Sequence, residues 1–258
     1  MKIVRSIADL ELSGEIGLVP TMGALHDGHR SLLRAARSEN EVVVASLFVN
    51  PAQFGEAADL ATYPRDAARD ARIAAECGVD VLFTPSVEEM YPPGFGTWVD
   101  MDDVGAEEAA RPGHFRGVAT ICLKLFNIVQ PRRAYFGQKD AQQGAVLERL
   151  VRDFDLPVEI RLLPTVRDTD GLAWSSRNVL LSAEERAEAL ALPRALHAGA
   201  DAFSRGEDPV PAARAQLNGL APDYVEIVNL DGASVLAAAV RVGSTRLIDN
   251  VLLEGDLR

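Results

Sequence analysis

V-P-T-M-G-A-L-H-D-G-H, residues 19–29, is the stretch around which the rest of this chain is organised. It follows a short apolar run at 16–19 and precedes an amphipathic segment at 30–39, so it is typical of the loop between a first strand and a first helix. The N–H groups that open a helix lack intrahelical partners and carry partial positive charge. Gly23 and Gly28 let the backbone come close to an anion, and the pattern therefore predicts a phosphate site at this loop.

Two of the four histidines, His26 and His29, lie in this loop three residues apart. One interpretation is a metal pair, but zinc sites need a third ligand, and helical zinc motifs space their histidines four apart around a glutamate. A second interpretation is a helix start that happens to contain histidines. We favour a third, in which both imidazoles donate hydrogen bonds to a phosphate oxygen.

The composition is that of an ordinary globular protein, with 258 residues, 48% hydrophobic and 25% charged, and it allows one large or two modest domains. A net charge of −12 argues against non-specific nucleic-acid binding. No apolar run reaches the length that spans a bilayer, and the first ten residues lack a signal-peptide core, so we expect a cytoplasmic protein without a membrane partner. Cys77 and Cys122 are expected to be buried free thiols.

Strand and helix patterns alternate through the first two-thirds of the chain. The strand patterns lie at 16–19, 42–49, 79–84, 134–136 and 158–166. The helical patterns lie at 30–39, 65–76 and 119–129, and a further one follows G-Q-K-D-A-Q-Q and ends near 154. Five strands interleaved with helices predict an α/β fold with a doubly wound parallel, Rossmann-like sheet.

The composition changes near Arg167, and we expect a domain boundary there. Residues 1–167 would form the Rossmann-like domain, and residues 168–258 a smaller α+β domain that acts as a lid. The patterns in this second domain are a long helix at 183–205, a shorter one at 212–220, and strands at 224–228 and 245–253. The polar segment at 168–178 would then lie at the seam, where a loop can close over a ligand.

Polar residues follow two of the strand patterns directly. Asn50 and Gln53 come after the strand at 42–49, and Lys139 and Asp140 come after the strand at 134–136. Open α/β sheets bind ligands at the carboxyl ends of their strands, so we expect these side chains to face one crevice. For Asn50, which precedes a proline, turn formation is an equally good explanation.

Two further groups have both a functional and an ordinary interpretation. Asp66 and Asp70 are one helical turn apart and could face Mg²⁺, although solvation of a helix surface explains them equally well. The segment R-P-G-H-F-R-G-V, residues 111–118, places two arginines at a helix start, against the helix dipole. That arrangement indicates an anionic partner.

Together these segments resemble the pantothenate synthetase (pantoate–β-alanine ligase) family of the nucleotidylyltransferase superfamily. The motifs that carry the resemblance occur in the family's order over nearly the whole chain: P-T-M-G-A-L-H-D-G-H, F-V-N-P-A-Q-F-G, Y-P-R, R-P-G-H-F-R-G-V, F-G-Q-K-D, D-G-L-A-W-S-S-R-N and T-R-L-I-D-N. The resemblance implies a ligase that condenses pantoate with β-alanine through a pantoyl adenylate, consuming Mg²⁺-ATP and releasing pyrophosphate and AMP. It also implies a homodimer with no tightly bound organic cofactor.

The resemblance further implies roles for individual residues. The catalytic positions are His26, His29, Lys139, Ser175, Ser176 and Arg177. The ATP-binding positions are Met22, Gly23, Gly137, Lys139, Asp140, Ser175, Ser176 and Arg177. The pantoate-binding positions are Pro20, Met22, Asn50, Gln53 and Gln143. Only Asp70 matches the carboxylates that the family associates with the metal, so Mg²⁺ is left mostly to ATP itself.

Two positions depart from the family pattern. Trp174 stands where a smaller aliphatic residue is common, and it either stacks on the adenine or fills the hinge. Ala141 stands where an aromatic residue is frequent.

Two other functions compete with the ligase. Another adenylyl- or cytidylyltransferase would share the histidine loop and the S-S-R segment but would not need the two glutamines. A non-catalytic nucleotide-binding module would bind ATP without forming AMP.

Overall fold

A six-stranded parallel sheet forms the centre of the protein. The structure is a computed structural model that describes residues 1–55, 57–230 and 232–256. The strands are β1 (Lys2–Val4), β2 (Ile16–Thr21), β3 (Val42–Leu47), β4 (Val81–Phe83), β5 (Arg133–Gly137) and β6 (Glu159–Leu163). In space they follow the order β1-β4-β3-β2-β5-β6, and every pair is parallel.

Helices cover both faces of this sheet. They are α1 (Asp27–Glu39), α2 (Ala57–Thr62), α3 (Ala67–Glu76), α4 (Val87–Met90), α5 (Ala106–Ala110), α6 (His114–Val129) and α7 (Ala141–Asp153). Successive residues of β2 point to opposite faces, so Leu18 packs in one core with Leu125 and Leu147, whereas Val19 packs in another with Leu33. The predicted doubly wound α/β sheet is therefore confirmed.

A smaller α+β part follows the sheet. Its elements are α8 (Ala183–Ala189), α9 (Ala191–Ser204), α10 (Pro209–Ala215), β7 (Pro222–Leu230), β8 (Ala233–Val242) and β9 (Thr245–Gly255). The three strands form an antiparallel sheet in the order β7-β8-β9. One face of β8 joins the core of the larger sheet through Val235 and Ala237, and the other buries Leu236 with Leu192 of α9. The domain boundary at residues 167 and 168 stays a prediction.

The structure corrects the number of strands. The five strands predicted for the parallel sheet are six, because β1 has only three residues and is too short to show a pattern. The strand β8 was also missed. Its run L-A-A-A-V is buried on both faces, so the alternation that marks a half-exposed strand is absent there.

Three helix predictions were also wrong in their bounds. The single helix expected at 183–205 is two helices that meet at Leu190, and Pro193 lies in the first turn of the second, where its missing N–H costs nothing. The helix expected at 212–220 runs from Pro209 to Ala215, and α6 begins at His114 rather than Ala119. The described residues also include four short 3-10 turns: Ile7–Asp9, Pro51–Gln53, Gln138–Asp140 and Ser176–Leu180.

Two smaller expectations can be compared with the described part of the chain. Cys77 and Cys122 are buried free thiols, as predicted. None of the described helices is both long and apolar enough to cross a membrane.

Candidate active site

A cavity of about 1040 Å³ opens at the carboxyl ends of β2, β3 and β5 and is closed on the other side by the smaller α+β part. It brings together most of the residues that the sequence predicted for the site. Those that line it are Pro20, Met22, His26, His29, Asn50, Gln53, Gly137, Lys139, Asp140, Gln143, Ser175, Ser176 and Arg177. Gly23 and Asp70 lie outside the lining.

Asp70 supports the loop after β2 from below. Its carboxylate accepts hydrogen bonds from the backbone N–H groups of Ala24 at 2.9 Å and Leu25 at 2.7 Å, and the residue is only 1% exposed. Gly23 has a φ of +86°, and a Cβ there would lie 2.9 Å from the Asp70 carboxylate. Glycine is therefore required where the loop passes over Asp70. Each oxygen of Asp70 accepts one hydrogen bond from the loop, and the role of Asp70 as a metal ligand stays a prediction.

His26 and His29 begin α1 with a reciprocal cap. Nδ1 of His26 accepts from the backbone N–H of Gly28 at 3.2 Å, and Nδ1 of His29 accepts from the backbone N–H of His26 at 3.3 Å. A nitrogen that accepts carries no proton, so in each neutral ring the N–H is at Nε2. The pKa of His26 is lowered to about 2 and that of His29 to about 4, chiefly by burial; the charge of Lys139 contributes to both, and Asp140 opposes the shift at His29. Both rings are therefore neutral hydrogen-bond donors at pH 7.

Trp174 packs on His26. Their rings are stacked with centroids 6.0 Å apart and an interplanar angle of 18°. The indole thus lies beside one face of the imidazole. The sequence predicted that Trp174 either stacks on the adenine or fills the hinge, and it did not predict this contact with His26.

The amide of Gln53 is oriented by Asn50. Asn50 is 1% exposed, and its Nδ2 donates to Oε1 of Gln53 at 3.0 Å and to the backbone oxygen of Gly117 at 3.1 Å. Its Oδ1 accepts from the Ala52 N–H and from the Tyr91 hydroxyl, so all its polar atoms have protein partners. The amide oxygen of Gln53 is thus the atom that faces Asn50, and Gln53 also lines the cavity.

Close packing of α6 brings Gly117 to this point. A Cβ at Gly117 would collide with the backbone oxygen of Ala52, so only glycine allows the helix to approach the turn at Pro51–Gln53. The same approach gives Asn50 its contact with the Gly117 carbonyl. The glycine of the R-P-G-H-F-R-G-V motif thus serves to position Asn50.

Asn250 of β9 holds the segment that carries Lys139. Its Nδ2 donates to the backbone oxygens of Gln138 at 2.7 Å and Lys139 at 3.0 Å, and its Oδ1 accepts from Nε2 of Gln138. The neighbouring Asp249 forms a two-point ion pair with Arg167, with distances of 2.6 and 3.1 Å. Asp249 and Asn250 belong to the T-R-L-I-D-N motif, whose sequence alone predicts no role for them. Their function depends on a contact between the two parts of the chain.

The segment Ser175–Arg177 faces α2 across the cavity. The Ser175 hydroxyl accepts from the Arg177 N–H at 3.3 Å, and the guanidinium of Arg177 forms an ion pair with Asp59 at 3.2 Å. The Ser176 hydroxyl contacts the Tyr63 hydroxyl at 3.3 Å. Asp59 and Tyr63 were not among the predicted site residues, although Tyr63 begins the Y-P-R motif.

A buried carboxylate, Glu107, was also missed. Two nitrogens of Arg246 donate to it at 2.7 and 2.8 Å, the Tyr224 hydroxyl donates at 3.0 Å, and its side chain is 5% exposed. These charge-assisted bonds join α5 to the antiparallel sheet. Burial acts to raise the pKa of Glu107, but the pairing with Arg246 and the charge of Arg111 outweigh it and lower that pKa. Its four-residue spacing from Arg111 is the sequence signal that could have identified it.

A doubly wound sheet whose strand ends place a glycine loop, two neutral imidazoles and a lysine around one cavity is the architecture of nucleotide-binding α/β enzymes. Comparison with known proteins gives a more precise class. Residues 1–252 match the family described as pantoate-beta-alanine ligase. The chain therefore belongs to the pantoate-beta-alanine ligase family.

Individual relatives agree with this membership. The pantothenate synthetase of Roseiflexus castenholzii is 50% identical over 98% of this chain and 100% of its own, and that of Moorella thermoacetica is 54% identical over 93% and 91%. A crystal structure of pantothenate synthetase from Thermus thermophilus has a TM-score of 0.92 at 45% identity, covering 98% of this chain and 99% of its own. A pantoate-beta-alanine ligase structure from Francisella tularensis has a TM-score of 0.84 at 38% identity, covering 99% of each chain, and its ligands are named as beta-gamma ATP and beta-alanine.

Proposed function

We propose that this protein joins pantoate to β-alanine at the expense of ATP and does so through a pantoyl adenylate formed in the cavity. Membership of the pantoate-beta-alanine ligase family supports the overall reaction. The observation that carries the mechanism is the convergence of His26, His29 and Lys139 with Gln53 and Gln143 on one cavity. Side chains that can donate hydrogen bonds to phosphate thus lie beside side chains that can bind a small hydroxy acid.

The first step is adenylation of pantoate. A carboxylate oxygen of pantoate attacks the α-phosphorus, an O–P bond forms, and the bond to the β-phosphate oxygen breaks, so that pyrophosphate leaves with the electron pair. Negative charge grows on the equatorial and leaving oxygens, and catalysis is chiefly positioning and electrostatics. The Nε2–H groups of His26 and His29 and the ammonium of Lys139 would stabilise that charge.

The ATP site is proposed to extend from the loop after β2 to the lid. Ser175, Ser176 and Arg177 would bind the triphosphate, with backbone groups at Met22 and Gly23 helping. Asp140 and Gly137 would contact the ribose, since a carboxylate accepts well from a diol. The lining of the cavity by all of these except Gly23 supports this assignment.

Pantoate would lie beside the triphosphate. Gln53 would donate from its free N–H₂ group, and Gln143 would bind the other polar end, since its side chain also faces the cavity. Pro20 and Met22 would contact the dimethyl end of the substrate. Asn50, whose polar atoms are engaged by protein, would act by orienting Gln53 rather than by contacting pantoate itself.

The second step is aminolysis. The neutral amine of β-alanine attacks the acyl carbon, a C–N bond forms, the acyl C–O bond breaks, and AMP leaves with the electron pair while a proton passes from nitrogen to water. Water must be kept from the mixed anhydride, and the smaller α+β part closes one side of the cavity.

Mg²⁺ is proposed to enter with ATP. Within residues 1–55, 57–230 and 232–256, no group of three or more His, Cys, Asp or Glu side chains is arranged to hold a metal ion. The phosphate oxygens of ATP would therefore supply most of its ligands, as is usual for magnesium bound to nucleotides. The metal would neutralise part of the phosphate charge.

We further propose that the protein acts as a cytoplasmic homodimer. Two buried free thiols are compatible with a reducing compartment. The family resemblance supports the dimer, and size-exclusion chromatography with light scattering would test it, since a monomeric mass would contradict it.

Exchange of labelled pyrophosphate into ATP tests the proposed reaction. We expect exchange that depends on pantoate, and formation of AMP and pantothenate when β-alanine is added. Lys139→Ala should cut exchange by orders of magnitude. Lys124→Ala is the matched control, because the Lys124 ammonium lies over the Phe95 ring and outside the cavity lining.

Two results would overturn the proposal. Exchange with phosphopantetheine but not with pantoate would indicate another nucleotidylyltransferase. ATP binding without AMP formation in the presence of both substrates would indicate a non-catalytic module.

A further inference from the structure

Arg111 lies in the wall of the cavity, and the two proposed reaction steps assign no role to its positive charge. It ends α5 and lines the cavity, and its side chain is 21% exposed. One of its terminal nitrogens donates to the backbone oxygen of Gln53 at 3.2 Å, and the other contacts Nε2 of His114 at 3.4 Å. The guanidinium therefore lies directly beside the residue proposed to bind pantoate.

The charge of Arg111 is poorly compensated by protein. The one carboxylate paired with it among the described residues is Glu107, at 3.5 Å. Glu107 already accepts two shorter bonds from Arg246 and one from Tyr224. Arg246 also pairs with Asp223 at 2.7 Å, so Glu107 shares its charge between Arg246 and Arg111, and its 3.5 Å contact with Arg111 is the longer of the two. That long contact lets Arg111 pair with a second anion.

The surroundings of Arg111 add to this imbalance. Burial lowers the pKa of its guanidinium, and the neighbouring cations Arg177 and Arg246 act in the same direction, against Glu107 and Asp59. A desolvated cation among other cations is costly unless an anion joins it. An incoming carboxylate would relieve that cost and would gain a two-point hydrogen bond with the planar guanidinium.

We propose that Arg111 binds the carboxylate of the amine substrate and so selects amino acids over simple amines. This inference rests on the proposed function, in which a β-amino acid attacks an adenylate held next to Gln53. Its carboxylate takes no part in the bond changes, so a permanent counter-ion does not hinder reaction. The pantoate carboxylate, in contrast, must remain free to attack phosphorus near Lys139 and the histidines.

The positive surroundings also favour the reactive form of the amine. The field of Arg111 and Arg177 disfavours an ammonium group, which must lose its proton before it can attack the acyl carbon. Arg111 is thus a specificity-determining residue of the second step, while the first step proceeds with the loop after β2 and Lys139.

The test compares β-alanine with n-propylamine, an amine of the same length that lacks the carboxylate. In Arg111→Gln we expect the preference for β-alanine, measured as the ratio of the two kcat/KM values, to fall about 10- to 100-fold, since hydrogen bonds between charged groups are strong. The KM for β-alanine should rise, and Arg111→Lys should retain part of the preference. Pantoate-dependent pyrophosphate exchange reports the first step, and any loss there through the contact between Arg111 and Gln53 acts on both amines alike and cancels from their ratio.

Arg116→Gln is the matched control. Arg116 belongs to the same motif but lies over the Trp98 ring, pairs with Asp100 and does not line the cavity. It should keep the wild-type preference for β-alanine.

Two outcomes would overturn the assignment of Arg111. They are an unchanged amine preference in Arg111→Gln and an equal loss with both amines, as expected of a merely structural residue. A wild-type protein without pantoate-dependent exchange would instead remove the proposed function itself, so the two failures can be told apart.

Discussion

The backbone N–H of His26 donates to Nδ1 of His29, and the two rings lie with their centroids 4.1 Å apart. Nδ1 of His26 in turn accepts from the Gly28 N–H. The two bonds cap α1 and leave each ring with its proton at Nε2, on the nitrogen not used by the cap. The structural and chemical roles of the pair are therefore carried by different atoms of the same ring.

Because those roles are separate, His26→Asn should separate activity from stability. Asparagine is among the best helix N-caps, so the free energy of unfolding should change by less than about 1 kcal/mol. Loss of the Nε2–H donor should lower the rate of pantoate-dependent pyrophosphate exchange by about 10²- to 10³-fold. Urea denaturation and the exchange assay measure the two effects. Exchange at the wild-type rate would show that His26 serves only as a cap.

Acid should destabilise the protein through the same histidines. Their pKa values in the folded protein, about 2 and about 4, lie below the ordinary 6.5, so the unfolded chain binds protons first as the pH falls. Stability should be complete above pH 6.5 and should decrease toward pH 4, by up to about 1.4 kcal/mol per pH unit for each histidine. Urea denaturation at pH 7, 6 and 5 measures this slope.

His26→Asn is the control for that slope, which should become shallower by about one proton in the variant. The rate of adenylation should not fall near pH 6.5 through protonation of His26 or His29. If the wild-type rate does fall near pH 6.5 and the fall is absent in His26→Asn, His26 is titrated in the folded enzyme.

Gln53→Ala should act mainly on pantoate. Loss of its donors should raise the pantoate KM in the exchange assay by about tenfold, with a smaller effect on the KM for ATP. Asn50→Ala should reproduce part of this change, because Gln53 loses the Nδ2 donor that orients its amide. An unchanged pantoate KM in Gln53→Ala would exclude the contact, and a normal KM in Asn50→Ala alone would exclude the orienting role.

Asp59→Asn should improve ATP binding. The Asp59 carboxylate pairs with Arg177, the same guanidinium that is proposed to bind the triphosphate, and the two anions would compete for it. Exposed ion pairs are weak, so the KM for ATP should fall by only about two- to fivefold. Asp201→Asn, which removes an exposed carboxylate of α9 outside the cavity lining, should leave the KM unchanged. A higher KM for ATP in Asp59→Asn would show that the carboxylate assists the nucleotide.

The sequence by itself determined the doubly wound sheet and most of the lining of the cavity. Loops that follow buried strands of a parallel sheet end at one edge, so the positions of His26, Asn50, Gln53 and Lys139 after their strands were enough to bring them together. The strands β1 and β8 escaped prediction, one because it is too short and the other because it is buried on both faces.

Only the tertiary structure decided the roles that depend on distant partners. Asp70 contacts the loop more than 40 residues before it, Asn250 holds the backbone at Lys139, and Arg246 takes up the charge of Glu107. A local sequence pattern shows which polar or charged groups a residue carries, but it does not show which groups contact that residue after folding. The tautomers of the histidines, the orientation of the Gln53 amide and the long ion pair of Arg111 follow from such contacts, because hydrogen bonds and charges depend on the position of both partners.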